Sequence, residues 1–272
     1  MRARKRFGQN FLTDHNEIDK ILNAIQPDKN DLIIEIGPGR GVLTKRLQGK
    51  AGRLEVIEID RDLVKLLHNE LSPDVVIHEA DVLRFDFSAL LDPMDQRYQV
   101  KVIGNLPYNI STPLLFRLFS QAHRIDAMFF MLQLEVVNRI CAAPSTKDYG
   151  RLSIISQLYC QSDKLFNVPA TAFTPAPKVT SAIIQMIPHK DSCNASPAHP
   201  ERERLLTEML NRAFGQRRKT LRNALSPYLN AEELKQLDID PGARPENLIL
   251  KDYLSCVDFL LNKAQSSRKQ EQ

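Results

Sequence analysis

The chain of 272 residues is poor in everything that would staple or anchor it. Its four cysteines, Cys141, Cys160, Cys193 and Cys256, lie far apart, with no CxxC pair and no Cys/His spacing. A disulfide framework and a zinc site are thereby excluded as the basis of the fold, and a reducing compartment is indicated. No metal is expected. No hydrophobic run approaches membrane length; Ala127 to Leu132 is among the longest. The N-terminus is basic but lacks the apolar core of a signal peptide. The expectation is a soluble, cytoplasmic protein with no membrane partner. Internal repeats and low-complexity tracts are also missing. Acidic residues are absent between Met209 and Ala231.

That last gap is matched by cations. Arg212, Arg217, Arg218, Lys219 and Arg222 fall near or within it, and Arg2, Arg4, Lys5 and Arg6 crowd the start. Taking these nine cations out of a net charge of +4 leaves the rest of the chain at −5. Basic charge concentrated in two places is the pattern of a polyanion contact, although solvated surface charge reads the same way.

The chain is long enough for one large domain and an appendage. Asp14 precedes a helical pattern of Ile18, Ile21, Leu22 and Ile25. Apolar runs at 31–37, 53–60, 74–81, 100–105 and 125–132 then alternate with helical patterns. Thr112 and Pro113 read as N-cap and first residue of the helix through Phe119. The segments 152–160 and 181–187 read as two last strands with no helix between them. The expected fold is α/β: a doubly wound, Rossmann-like, mostly parallel sheet whose last strand runs antiparallel. Residues 191–200 read as a linker, so 1–190 form the expected main domain and 201–272 a small helical one.

"EIGPGRG" (35–41) follows a strand and opens a helix. Gly37, Gly39 and Gly41 allow a ligand close to the backbone. The spacing is GxGxG, not the GxGxxG of dinucleotide enzymes. By itself the turn suits a methyl-donor site, an NAD site or plain structure. Glu58, with Asp60 just behind, ends the next strand and can accept from ribose hydroxyls. Asp81 ends the third strand and can meet an adenine amino group. With Glu35 these acids make a field that repels a pyrophosphate and suits a sulfonium. The donor reading is therefore favoured.

"GNLPYNIS" carries Asn105-Leu106-Pro107-Tyr108, of the form (D/N)-x-P-(Y/F). An adenine N6 is a poor nucleophile because its lone pair is delocalised into the ring. The Asn105 side-chain oxygen and the Leu106 carbonyl are two acceptors that favour a pyramidal nitrogen. Pro107 stiffens the corner, and Tyr108 can stack on an extruded base. In "AFTPAPKV" (172–179), Phe173 sits in a loop stiffened by Pro175 and Pro177. It reads either as an exposed aromatic closing the second face of that base or as a hydrophobic plug.

Together "RKRFGQNFL", "EIGPGRG", "VIEID", "GNLPYNIS", "QLEVVNRI", "YGRLSI", "AFTPAPKVTSAI" and "FGQRRKTLRNAL" resemble the ribosomal RNA adenine N6-dimethyltransferases, in the form of the bacterial small-subunit 16S branch. The resemblance implies S-adenosyl-L-methionine as donor and S-adenosyl-L-homocysteine as product. It implies four methyl transfers, two to each of two adjacent adenosines in the 3′-terminal hairpin loop of 16S rRNA, within an immature small ribosomal subunit. It places Asn10, Leu12, Gly37, Glu58, Asp81 and Asn105 at the donor, with Gly39 and Gly41 in the same turn. Asn105, Leu106, Tyr108 and Phe173 fall at the target base. Arg4, Lys5, Arg6, Arg217, Arg218, Lys219 and Arg222 are then the expected RNA-binding cations, on a monomer. A DNA adenine methyltransferase, a non-catalytic RNA-binding assembly factor and an NAD oxidoreductase are the rival readings.

Overall fold

Parallel strands covered on both faces must be apolar nearly throughout, and the runs at 31–36, 100–105 and 127–133 have that character. In the computed structural model, which describes residues 9–91, 97–189, 200–216 and 218–270, they become β2 (Asp31–Ile36), β5 (Gln99–Asn105) and β6 (Ala127–Gln133). Before them come β1 (Phe11–Leu12) and α1 (His15–Ile25). Asp14 caps α1, its carboxylate accepting from the Asn16 and Glu17 N–H groups at 2.8 and 3.2 Å. The expected stripe Ile18, Ile21, Leu22 and Ile25 is buried. Next are α2 (Val42–Leu47), β3 (Arg53–Glu58), α3 (Arg61–Glu70) and β4 (Val75–Glu79). The helix α4 (Ser111–Phe119) begins one residue before Thr112. The Pro107 carbonyl starts it by accepting from the Ile110 and Ser111 N–H groups. Pro113 fits in its first turn because an N–H there has no intrahelical acceptor.

After β6 come α5 (Leu134–Ile140), α6 (Arg151–Tyr159), β7 (Cys160–Val168), β8 (Phe173–Thr174) and β9 (Ser181–Pro188). The expected strand over 152–160 is a helix. Its apolar residues Leu152, Ile154, Ile155, Leu158 and Tyr159 suit either period, and a short apolar run does not choose between them. The strand lies one segment later, in the more polar Cys160–Val168. That sequence is tolerated because β7 ends the sheet and pairs only with β9.

The seven-stranded order is β4-β3-β2-β5-β6-β9-β7. Within the sheet β9 alone runs in the direction opposite to the other six strands. This is the expected doubly wound sheet with its reversed last strand. β1 and β8 form a separate antiparallel pair that aligns Leu12 with Phe173.

The chain divides into two compact units, 1–137 with 160–190, and 138–159 with 191–272. The second draws α6 together with α7 (Pro200–Gly215), α8 (Leu221–Ala224), α9 (Ala231–Gln236) and α10 (Leu250–Gln270). Segment 138–159, assigned to the main domain by composition, therefore groups with the C-terminal helices. Within this unit the buried Tyr149 and Tyr253 donate to the Leu248 and Pro245 carbonyls. Residues 191–199, most of the expected linker, lie outside the described residues.

Candidate active site

The strand order reverses between β2 and β5, because β3 lies on one side of β2 and β5 on the other. Ligands of open α/β sheets bind outside the C-terminal ends of the strands at such a point. A cavity of about 260 Å³ lies there. Its walls come from the segment before α1, the glycine turn, and the ends of β3, β4 and β5. Of the residues expected from sequence, Asn10, Leu12, Gly37, Gly39, Glu58, Asp81, Asn105, Leu106 and Tyr108 all line it.

The glycine turn is tight because Gly37, Gly39 and Gly41 all have positive φ, at 65°, 59° and 71°. Gly39 is constrained twice: a Cβ there would also lie 3.2 Å from the Phe11 ring. The Arg40 guanidinium stacks over the same ring, 4.6 Å from its centroid. Gly41 does not line the cavity, contrary to expectation. It caps α2 and packs under α3, where a Cβ would come within 2.9 Å of Leu67.

Glu58 is only 5% exposed and binds the turn to its own strand end. It accepts from the Gly39 N–H at 3.2 Å and from the Ile59 and Asp60 N–H groups at 2.9 Å each. Burial raises its pKa, and these three amides oppose the rise. Asp60, 2% exposed, caps α3 and accepts from Gln9 Nε2 at 3.1 Å. Gln9 thereby ties the N-terminal segment to the β3 end. Asp81 accepts from the Leu83 N–H at 2.9 Å and keeps a second oxygen for a ligand.

Glu35 lines the cavity and accepts from Thr44 Oγ1 at 2.6 Å. Burial pushes its pKa up to about 7, with Thr44 opposing the shift and Glu58 adding to it. The unfolded chain loses this proton near the ordinary carboxylate value of 4.5, the folded chain near 7. The associated stability is therefore complete below pH 4.5 and is lost as the pH rises through 7. Its size is on the order of 3 kcal/mol. Glu35→Gln is expected to flatten the fall in denaturation midpoint between pH 5 and 8. Parallel wild-type and variant curves would assign that fall to another group.

At the end of β5, Asn105 Nδ2 donates to the Asn10 carbonyl at 3.0 Å. A carbonyl partner demands the amide nitrogen, so Oδ1 is left as the acceptor. The Pro107 and Tyr108 carbonyls are taken by the turn, the latter by Ser111 Oγ. The Leu106 carbonyl accepts no hydrogen bond among the described residues. Its N–H donates to Met131 O at 3.2 Å and fixes the corner to β6. Among the described residues neither Asn105 Oδ1 nor the Leu106 carbonyl accepts a hydrogen bond.

Phe173 is not the exposed aromatic. It is 4% exposed, belongs to the core cluster with Leu12 and Ile183, and does not line the cavity. Pairing of β8 with β1 turns it inward, so the plug is its observed role. Arg218, Lys219 and Arg222 are exposed on the second unit. Arg4, Lys5, Arg6 and Arg217 lie outside the described residues. Sequence reasoning missed Gln9 and Phe11, although both sit in the quoted "RKRFGQNFL"; their roles depend on pairing far along the chain. Among the described residues there is no cluster of His, Cys, Asp and Glu suited to a metal ion, and no helix long and apolar enough to cross a membrane.

The model of the ribosomal RNA adenine dimethylase family matches residues 1–262. A ribosomal RNA small subunit methyltransferase A of Aromatoleum aromaticum is 49% identical over 264 residues, covering 97% of this chain and 96% of the relative. The protein of that name from Alcanivorax borkumensis is 49% identical over 260 residues, covering 95% and 90%. Among solved structures, a dimethyladenosine transferase from Plasmodium falciparum superposes with a TM-score of 0.79 at 26% identity, covering 93% and 98%. The 23S rRNA methyltransferase ErmE gives 0.68 at 25%, covering 92% and 99%.

Proposed function

The chain belongs to the ribosomal RNA adenine dimethylase family, and from that premise we propose that it converts two adjacent adenosines of 16S rRNA to N6,N6-dimethyladenosine. The adenosines are those of the 3′-terminal hairpin loop, and the methyl donor is S-adenosylmethionine. The observation that carries the reading is that the Asn105–Tyr108 corner opens on the same cavity as the glycine turn and Glu58. The walls suit the donor. Glu58 keeps lone pairs for ribose hydroxyls, Asp81 an oxygen for an adenine amine, and Ile59 and Val82 apolar surface for a purine. The carboxylates of Glu58 and Asp81 oppose a pyrophosphate and tolerate a cation, and Glu35, its pKa pushed up to about 7, adds to this only as the pH rises through that value.

When bound, S-adenosylmethionine supplies an electrophilic methyl group. The chain's residues act on the acceptor. Asn105 Oδ1 and the Leu106 carbonyl accept hydrogen bonds from the two N6 hydrogens and favour the pyramidal nitrogen, freeing its lone pair for attack. Tyr108 holds the base by its face. Asn105 is no base, so the corner works by position and electrostatics, and the proton leaves to solvent after transfer. A monomethylated N6 keeps one hydrogen, so one acceptor still serves in the second round.

Arg218, Lys219 and Arg222 would bind phosphates without reading sequence, as would Arg4, Lys5, Arg6 and Arg217. The immature small subunit as substrate, a monomeric state and a cytoplasmic site of action belong to this proposal. Incubation with S-adenosylmethionine and undermethylated small subunits is expected to yield dimethyladenosine at two neighbouring loop positions by mass spectrometry. Methylation of duplex DNA but not of subunits would overturn the reading. In subunit-binding titrations at several salt concentrations, Arg218→Glu with Arg222→Glu is expected to weaken binding by about tenfold or more and to flatten its salt dependence. Donor affinity should not change.

A further inference from the structure

Tyr108 has a partner that its expected role does not explain. Its phenol oxygen lies 3.3 Å from Ser181 Oγ. Ser181 is 1% exposed and opens β9, aligned with Gln133 of β6 on one side and Val168 of β7 on the other. A serine clasped between two strands has little freedom, so its hydroxyl is a fixed point in the sheet. The Tyr108 ring, by contrast, hangs from the half-buried turn between β5 and α4. Stacking needs only the ring face, which phenylalanine supplies equally. The phenol therefore has a separate use.

We propose that Ser181 is a positioning residue for the target base, holding the Tyr108 ring at a set angle through the phenol–hydroxyl hydrogen bond. The inference rests on the target-base reading of the Asn105–Tyr108 corner. The largely exposed loop 175–180 is thus held at both ends. At one end Phe173 pairs with Leu12, and at the other Ser181 meets Tyr108. An unheld ring would sample several tilts, only some of which bring N6 to its acceptors. The loss would fall on the chemical step rather than on donor binding.

The test is a double-mutant cycle read by kcat, KM for undermethylated small subunits, and calorimetric donor affinity. Ser181→Ala and Tyr108→Phe are each expected to lower kcat by about fivefold to tenfold. Donor affinity should remain within about twofold of wild type, since neither group is asked to hold the donor. The double variant should be no slower than the slower single variant. Ser181→Thr keeps the hydroxyl and should recover most of the lost kcat; a purely structural defect would not follow the hydroxyl in this way. Multiplying effects in the double variant, a wild-type kcat for Ser181→Ala, or a Ser181→Thr no better than alanine would each overturn the inference while leaving the activity assigned. A wild-type protein that methylates no subunit adenosine would remove the underlying reading and the inference with it.

Discussion

Asn105→Ala is expected to lower methyl transfer to small-subunit rRNA by about 10²–10³-fold or more, the range seen when one preorganised polar contact to a reacting group is removed. The substitution deletes Oδ1, one of the two acceptors at the end of β5. It also deletes the Nδ2 donor that binds the Asn10 carbonyl. The fold should survive, because Asn105 is half-buried at a strand end and its backbone pairing with Met131 is untouched. Single-turnover transfer of a labelled methyl group, compared with a thermal midpoint, measures both. Asn105→Asp is the informative companion. It keeps an acceptor but sets a carboxylate oxygen against the Asn10 carbonyl, so it should be impaired and still exceed the alanine variant. Near-normal transfer by Asn105→Ala would show that the chemistry lies elsewhere in the cavity.

Glu58→Ala should abolish donor binding, by more than about 100-fold in affinity, which corresponds to roughly 3 kcal/mol. One carboxylate holds three backbone N–H groups, from Gly39, Ile59 and Asp60. Its loss strands the donors of half-buried Gly39 and buried Asp60, each at a cost of about 1–3 kcal/mol, while the N–H of exposed Ile59 can turn to water. The glycine turn loses its side-chain link to the β3 end, although the Gly37 N–H still donates to the Ile57 carbonyl at 2.9 Å, and the ribose loses its acceptor. Glu58→Gln separates these effects. Its oxygen can still serve Ile59 and Asp60, but its amide nitrogen would face the Gly39 N–H, donor against donor. An intermediate affinity is therefore expected by calorimetry. Tight binding by both variants would place the donor away from the turn.

Much of this site is legible in the chain. Strand runs such as "DLIIEIG" and "VKVIGN" read correctly because parallel strands buried on both faces leave a continuous apolar signature. Glu58, Asp81 and Asn105 then stand at or just past the C-terminal ends of such runs, which is where this architecture opens its crevice. Other features were hidden. The apolar run at 152–159 fits either period, and its surroundings in the helical unit selected a helix. Gln9 gives no signal of its own, since its acceptor Asp60 lies 51 residues away. Phe173 reads either as an exposed aromatic or as a plug, and the two-residue strand pair that buries it decides for the plug.

The sequence by itself determined the doubly wound sheet, the order of its motifs and the chemical type of each strand end, because these follow from local periodicity and residue chemistry. Only the tertiary structure decided which groups meet. Asn105 with Asn10, Gln9 with Asp60, Tyr108 with Ser181 and Phe173 with Leu12 each join segments many residues apart. Such pairings are selected by packing the whole sheet, and no local window of the chain contains the energy that selects them.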